Sequence, residues 1–190
     1  LRGIALKVYI ATKNQLKPDI ISLTSQPQVI SALSDLIIET VAAGGSVSFM
    51  HPLAPQTAMS FWEGSLAAAA RGERVVLGAY DGGILIGTVT LLLDCPPNQP
   101  HRAEIAKLMT RVSYRGKGVG SALVREAERI AIDLGRTLLT LDTAVEDGAA
   151  SLYERLGFQR TGVIPDYALK PHGGLTGTII YWKRIGEAAK

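Results

Sequence analysis

The 190-residue chain has one cysteine, Cys95. No internal disulfide framework is therefore available, and a reducing compartment is the expected setting. Pro96 and Pro97 follow directly, which places Cys95 in a loop as an incidental thiol, without the base and positive surroundings of a nucleophile. Long apolar runs are also missing. The longest candidate, residues 83–93, is interrupted by Thr88 and Thr90 and closes at Asp94, short of the roughly 18 to 20 residues that span a bilayer. The N-terminal residues lack the layout of a signal peptide. Basic residues are dispersed, the formal charge is a mild +3 and aromatics make up only 6%. A basic stripe with aromatic partners, the footprint of a nucleic-acid binder, is absent. His51, His101 and His172 lie beside prolines in loops without metal-ligand spacing. His172 is near Asp166 and Tyr167, where it would line a substrate mouth or simply be solvated. These absences predict a soluble, cytoplasmic protein with no metal, nucleic-acid or membrane partner.

An apolar content of 47% with 19% charged residues fits a globular fold with a sizeable core, most economically one domain over residues 1–190. Residues 4–10 alternate as a first strand, and 14–25 are ambiguous around Pro18 and Pro27. Val29, Leu33, Leu36, Ile37 and Val41 recur at helical spacing over 28–43, where Gly44 and Gly45 stop the helix. A second helix is predicted over 56–70, with Met59, Trp62, Leu66 and Ala70 on one side. Strands over 74–80 and 84–93 flank Asp81-Gly82-Gly83, a strong hairpin signal. Residues 102–111 alternate, with Glu104, Ala106, Leu108 and Thr110 pointing one way and Ile105, Lys107 and Met109 the other. A long helix follows with Val119, Leu123, Ala127, Ile130 and Leu134 as its stripe, ended by Gly135. Then come a strand over 137–143, a short helix over 147–156 capped by Asp147, and strands over 158–164 and 178–184. No internal repeat or low-complexity tract is present. The order is β-α-α-β-β-β-α-β-α-β-β, an α/β (α+β) fold with a mixed, largely antiparallel sheet flanked by helices.

Between the alternating run and the long helix lies Arg115-Gly116-Lys117-Gly118-Val119-Gly120. Three glycines at alternate positions allow a tight bend and close backbone approach to a ligand. A helix beginning right after such a turn presents free N–H groups and the positive end of its dipole, which suits a phosphate. No register supplies the four-residue spacer of a Walker A loop. A Rossmann fingerprint is a closer rival, because Asp142 stands about 20 residues on, where a ribose-binding acid belongs. Its third small position fails, however, being Ser121 in one register and Leu123 in the other. Three strands and two helices also precede the loop, and too little chain follows it for a doubly wound sheet.

What remains is Arg/Gln-x-x-Gly-x-Gly/Ala, matched by Arg115, Gly118 and Gly120. Together with Ser151-Leu152-Tyr153-Glu154-Arg155-Leu156-Gly157-Phe158, it resembles the GNAT superfamily of N-acetyltransferases over residues 74–184. Over a longer span the chain is similar to the tabtoxin-resistance acetyltransferases. That likeness rests on Glu39-Thr40-Val41, Gly45-Ser46-Val47-Ser48-Phe49-Met50, Arg102-Ala103-Glu104, Lys107-Leu108-Met109 and Leu141-Asp142-Thr143. The resemblance implies a sheet splayed between two strands. It puts the pyrophosphate of acetyl-CoA on the backbone amides of Arg115, Gly116, Lys117, Gly118, Val119, Gly120 and Ser121. The pantetheine arm would pair with Leu108, Met109 and Thr110 like an added strand, opposite residues 138–143. Tyr153 would face the sulfur and protonate the leaving thiolate, or else be a core aromatic with a satisfied hydroxyl. Relatives often carry Asn seven residues before this tyrosine to bind the pantetheine; here Glu146 stands there.

Acetyl transfer to an amine needs a base, since at pH 7 only about one alkyl amine in a thousand is neutral. Two carboxylates are candidates. Glu104, six residues before Thr110, lies about 20 Å upstream if the strand is regular, roughly the reach of a pantetheine arm. It reads either as the proton acceptor that the resemblance implies or as the partner of Arg102 or Lys107. Asp142 reads either as a second catalytic carboxylate or as a strand-end acid.

The expected function is acetyl-CoA-dependent N-acetylation of a small amine, with an amino-acid-like toxin or antibiotic as a candidate acceptor. The loops over 44–54 and 165–177 are long enough to cover the acceptor side. Acetylation of a protein amine and a catalytically silent acetyl-CoA-binding module are the alternatives, and the frequency of homodimers among small enzymes sets that expectation for assembly.

Overall fold

The computed structural model describes residues 16–146 and 148–186. The expected strand over 4–10 and the proposed cap Asp147 lie outside them. Among the described residues the order is β1 (Asp19–Ser22), α1 (Pro27–Ala42), α2 (Pro55–Ala70), β2 (Arg74–Asp81), β3 (Ile84–Leu92), β4 (Arg102–Thr110), a 3-10 turn (Val112–Tyr114), α3 (Val119–Asp133), β5 (Leu138–Ala144), α4 (Ala150–Arg155), β6 (Gln159–Leu169) and β7 (Leu175–Arg184). They build a seven-stranded sheet ordered β1-β2-β3-β4-β5-β7-β6. Every neighbouring pair is antiparallel except β4 and β5. No helix of the described residues is long and apolar enough to cross a membrane.

Each face of the sheet buries its own core. Leu77, Val89, Ala103, Ile105, Leu139 and Leu141 pack with Val119, Leu123 and Ala127 of α3 and with Tyr153 and Leu156. On the opposite face, Val76, Leu85 and Met109 meet Leu33, Leu36, Ile37 and Val41 of α1 and Ala58, Trp62 and Leu66 of α2. Pro27 pre-sets the first turn of α1, and the chain leaves through Gly44 at φ 85°. On α2 the buried stripe includes Ala58 and Ser65 beside Trp62 and Leu66, while Met59 is exposed; the stripe is turned by about one position from the periodic reading.

The two-residue turn between β2 and β3 is made by Gly82 and Gly83, both at positive φ, the backbone that a tight hairpin demands. Three local readings need correction. A strand lies at 19–22, inside the stretch that the sequence left ambiguous. Helix α4 begins at Ala150, with no side-chain cap. Finally, β6 continues through Pro165 to Leu169 instead of ending at 164. It is the edge strand, so the missing N–H of Pro165 breaks no ladder bond. A register shift between Ile164 and Ala168, with Asp166 at φ 50°, absorbs the kink.

Candidate active site

Strands β4 and β5 are paired only at Arg102↔Leu138, Ala103↔Leu139 and Glu104↔Thr140. Beyond Glu104 they part. A cavity of about 560 Å³ opens between them, with residues 105–110 on one wall and Asp142, Thr143 and Ala144 on the other. Arg102 fastens the strands at the last paired position, its Nη1 donating to Glu104 Oε2 at 3.1 Å and to Thr140 Oγ1 at 2.9 Å.

The strand that forms one wall is not regular. Thr88 pairs with Met109 while Thr90 pairs with Ala106, so Lys107 and Leu108 together oppose Val89, and Lys107 takes φ 51°. This bulge inverts the alternation of β4. Ala103 and Ile105 face α3, but after the bulge Met109 enters the α1/α2 core. Leu108 packs on the α3 side, and Thr110 Oγ1 lies 3.9 Å from where a Cβ on Gly120 would be. Glu104 and Thr110 therefore point to opposite faces, contrary to the regular-strand reading.

Just past β4, Glu39 of α1 secures the chain before it turns. Its carboxylate accepts from Arg111 Nη1 at 2.7 Å and from the Val112 amide at 2.7 Å. The glycine loop follows with Gly116 at φ 75° and Gly118, the N-cap of α3, at φ 89°. The amides of Arg115 and Lys117 donate to Val112 O and Tyr114 O, and the first intrahelical bond runs from Ala122 N to Gly118 O, leaving the earlier amides of α3 without an intrahelical acceptor. A Cβ at Gly116 would meet nothing within 4 Å, so its outer side is open to a ligand. Arg115 lines the cavity, and Lys117 Nζ sits 4.8 Å from the Tyr114 ring centroid.

Of the residues singled out from sequence, Leu108, Met109, Thr110, Arg115, Gly120, Asp142 and Tyr153 line this one cavity. Gly116, Lys117, Gly118, Val119 and Ser121 form the turn and first helical turn at its end. Glu104 is not among the lining residues; it is half-buried in the ion pair with Arg102. Asp142 is exposed on the wall, with Oδ2 accepting from Thr178 Oγ1 at 2.9 Å. Tyr153 is 5% exposed, packed between Phe158 and Tyr181 at centroid distances of 5.8 and 5.9 Å. Glu146 also lines the cavity, and its Oε2 accepts from Lys170 Nζ at 3.1 Å.

The loops over 44–54 and 165–177, expected to cover the acceptor side, do line the cavity. The loop residues Gly44, Gly45, Ser46, Val47 and Ser48 approach from one side, and Tyr167, Ala168 and Leu169 from the other. The loops behind them are joined. His51 N donates to Pro171 O at 2.9 Å, and the His51 and His172 rings lie 4.5 Å apart. His172 Nε2 lies 3.1 Å from Ala42 O. The alternation puts Lys107 on the face of Ile105 and Met109, with Glu104 as a candidate partner. Its amine instead donates to Ser48 Oγ at 3.0 Å, with Phe61 at 5.9 Å.

Residues 45–158 match the acetyltransferase (GNAT) family. Among curated proteins, N-acetyltransferase 8 of Rattus norvegicus is 37% identical over 86 residues, which is 44% of this chain and 39% of that one. The N-alpha-acetyltransferase MAK3 of Arabidopsis thaliana is 35% identical over 92 residues, 48% of each chain. The chain thus matches less than half the length of either relative. Among solved structures, an N-acetyltransferase from Staphylococcus aureus Mu50 superposes with a TM-score of 0.73 at 16% identity, covering 87% of this chain and 98% of that one. A candidate phosphinothricin N-acetyltransferase gives 0.73 at 23% identity, covering 89% and 100%. An aminoglycoside 6'-N-acetyltransferase complexed with coenzyme A gives 0.69 at 18%, covering 90% and 99%. The splayed strands, the glycine turn ahead of α3 and the match across 45–158 lead to one assignment: this chain is a member of the GNAT acetyltransferase family.

Proposed function

We propose that the chain transfers the acetyl group of acetyl-CoA to the amine of a small molecule. The observation that carries this reading is the cavity where β4 and β5 separate, closed at one end by the glycine turn and roofed by two joined loops. Acetyl-CoA supplies an activated acyl group. The amides at the start of α3 would hold its pyrophosphate, with Arg115 and Lys117 adding positive charge. The backbone of Leu108, Met109 and Thr110, freed from β5 by the splay, supplies hydrogen-bonding edges for an extended arm.

Two carboxylates line the cavity, Asp142 and Glu146; Glu146 is engaged by Lys170, and we assign Asp142 the proton from the attacking ammonium. Its bond from Thr178 fixes the orientation. Glu104, tied to Arg102, holds the two strands together at the mouth of the splay and adds negative field on the same sheet face. We assign Tyr153, which lines the cavity, the role of acid for the leaving sulfur. Tyr153→Phe keeps the ring and its contacts with Phe158 and Tyr181. The expected kcat is about 10²-fold lower, with little change in KM for acetyl-CoA, as steady-state kinetics would show.

The roof is what favours a small acceptor. The 44–48 loop and residues 167–169 line the same cavity, and their parent loops are joined at His51, Pro171 and His172; a peptide would need an open groove. The likeness to an N-alpha-acetyltransferase gives acetylation of a protein amine a place as the second reading. An amino-acid-like toxin or antibiotic acceptor belongs to the same proposal, supported by the similarity to tabtoxin-resistance acetyltransferases in the stretches quoted above. So does one domain over 1–190, with the cofactor-binding part at 74–184. A panel of amino acids, aminoglycosides and peptide α-amines, followed by release of free CoA thiol, separates the readings. The proposal also includes a cytoplasmic setting, where Cys95 stays reduced. It further includes a homodimer through the exposed apolar edge of β6, which carries Val163, Ile164, Tyr167 and Leu169; light scattering tests that pairing.

A further inference from the structure

Among the described residues, Ser48, Lys107 and Asp166 are the non-glycine positions at positive φ. The first two are hydrogen-bonded to each other at 3.0 Å and both line the cavity. Left-handed backbone at such residues is unfavourable and persists where the surrounding structure over-determines it, which happens most at functional sites. The bulge aims the Lys107 side chain away from α3, toward Phe61 and Ser48. Asp142 and Glu104 are near enough for their charges to raise its affinity for a proton, while Arg74 opposes them. Burial outweighs these charges and holds the ammonium below the usual lysine range. A larger share of this amine is therefore neutral than of a surface lysine.

Its position relative to the acetyl donor follows from chain direction. The glycine turn comes after β4, so an arm anchored there runs back along Thr110, Met109 and Leu108. The next residue on that track is Lys107. We propose that Lys107 is itself an acceptor, acetylated on Nζ by acetyl-CoA bound in the cavity. This inference rests on the acetyl-CoA reading above. In the step, the Nζ lone pair forms a C–N bond to the thioester carbonyl carbon and the C–S bond breaks. The proton lost from nitrogen passes to Asp142, and the departing thiolate takes up one proton. Amine and acetyl-CoA become Nε-acetyl-lysine and CoA thiol, with no change of oxidation state. The product removes the cation beside Phe61 and places an acetamide in the acceptor space, which slows turnover of an external amine.

The test is to incubate the full chain with isotopically labelled acetyl-CoA and no acceptor, then digest with trypsin. Trypsin does not cut after acetyl-lysine, so modification at Lys107 leaves residues 103–111 as one peptide between Arg102 and Arg111. The expected result is labelled 103–111 approaching one acetyl group per chain, formed at least an order of magnitude faster than label at exposed Lys17. Unfolding in urea should abolish that preference. Lys107→Arg should remove the labelled peptide, and Asp142→Asn should slow its formation while acetyl-CoA still protects the fold against heat. Unlabelled acetyl already present on 103–111 in the purified protein also supports the inference. Label confined to exposed lysines, or no label at Lys107 while acetyl-CoA protects against heat, overturns it. Absence of both label and thermal protection removes it together with the cofactor reading.

Discussion

Replacing Asp142 by asparagine lowers kcat/KM for the amine by about 10²- to 10⁴-fold, the range that a positioned proton acceptor contributes. The substitution keeps size and shape, and the amide oxygen still accepts the bond that Thr178 Oγ1 donates at 2.9 Å. Folding and acetyl-CoA affinity therefore stay close to those of the parent. What is lost is the carboxylate to which the proton is assigned; Glu146, the other one lining the cavity, is held by Lys170. The residual rate of Asp142→Asn should climb with pH toward about 10, where a free alkyl amine no longer needs a base, so the deficit narrows in alkaline buffer. Glu104→Gln is the comparison that makes the test specific. Glu104 does not line the cavity and is engaged by Arg102, so its loss should cost less and leave the pH–rate profile with the same shape. If Glu104→Gln has the larger effect and flattens the low-pH limb, the assignment of Asp142 is wrong.

The second large effect concerns a glycine outside every motif. An ideal Cβ on Gly87 would lie 2.9 Å from the Met109 carbonyl oxygen, 3.0 Å from Val119 Cγ1 and 3.1 Å from Leu123 Cδ1. Gly87 thus sets how closely β3, β4 and the start of α3 approach, and those three elements carry the arm-binding edge and the glycine turn. Gly87→Ala overpacks this junction, at a cost of about 1–3 kcal/mol. At about 2–4 °C per kcal/mol for a domain of this size, the melting temperature should fall by about 2–12 °C. The shift falls on Met109, so KM for acetyl-CoA should rise as well. Gly120→Ala provides the contrast, because its Cβ would meet Leu152 Cδ2 at an ordinary 3.5 Å. Its melting temperature should hold or rise slightly, as alanine favours a helix. Equal losses at both glycines would mean that helix and turn chemistry, not the packing at Gly87, governs this corner.

The helices at 27–42 and 119–133, the 82–83 hairpin and the glycine turn were legible because each depends on local chemistry: apolar spacing, and glycines at the turns and helix ends. The bulge at Lys107 was not. Strand register is set by the partner strand, and nothing between Ala103 and Thr110 announces that Thr88 and Thr90 skip one residue across from them. That one extra residue puts Glu104 on the face opposite Thr110 and brings the Lys107 amine to the cavity lining beside Ser48. The run of β6 through Pro165 was hidden for a related reason, since only the topology shows that this strand is an edge. Likewise, the roof depends on contacts between residues more than a hundred positions apart, such as His172 with Ala42.

The central claim, that the splay between β4 and β5 serves acetyl transfer to an amine, is tested most directly by following CoA thiol release from acetyl-CoA across the amine panel. Tightly bound acetyl-CoA should first show itself by thermal protection, about 2.7 kcal/mol at a concentration of 100 times Kd. The predicted result is thiol release that depends on a small amine and falls with Asp142→Asn. Thermal protection by acetyl-CoA with no amine-dependent thiol release from any member of the panel would contradict the account and leave a cofactor-binding module in its place.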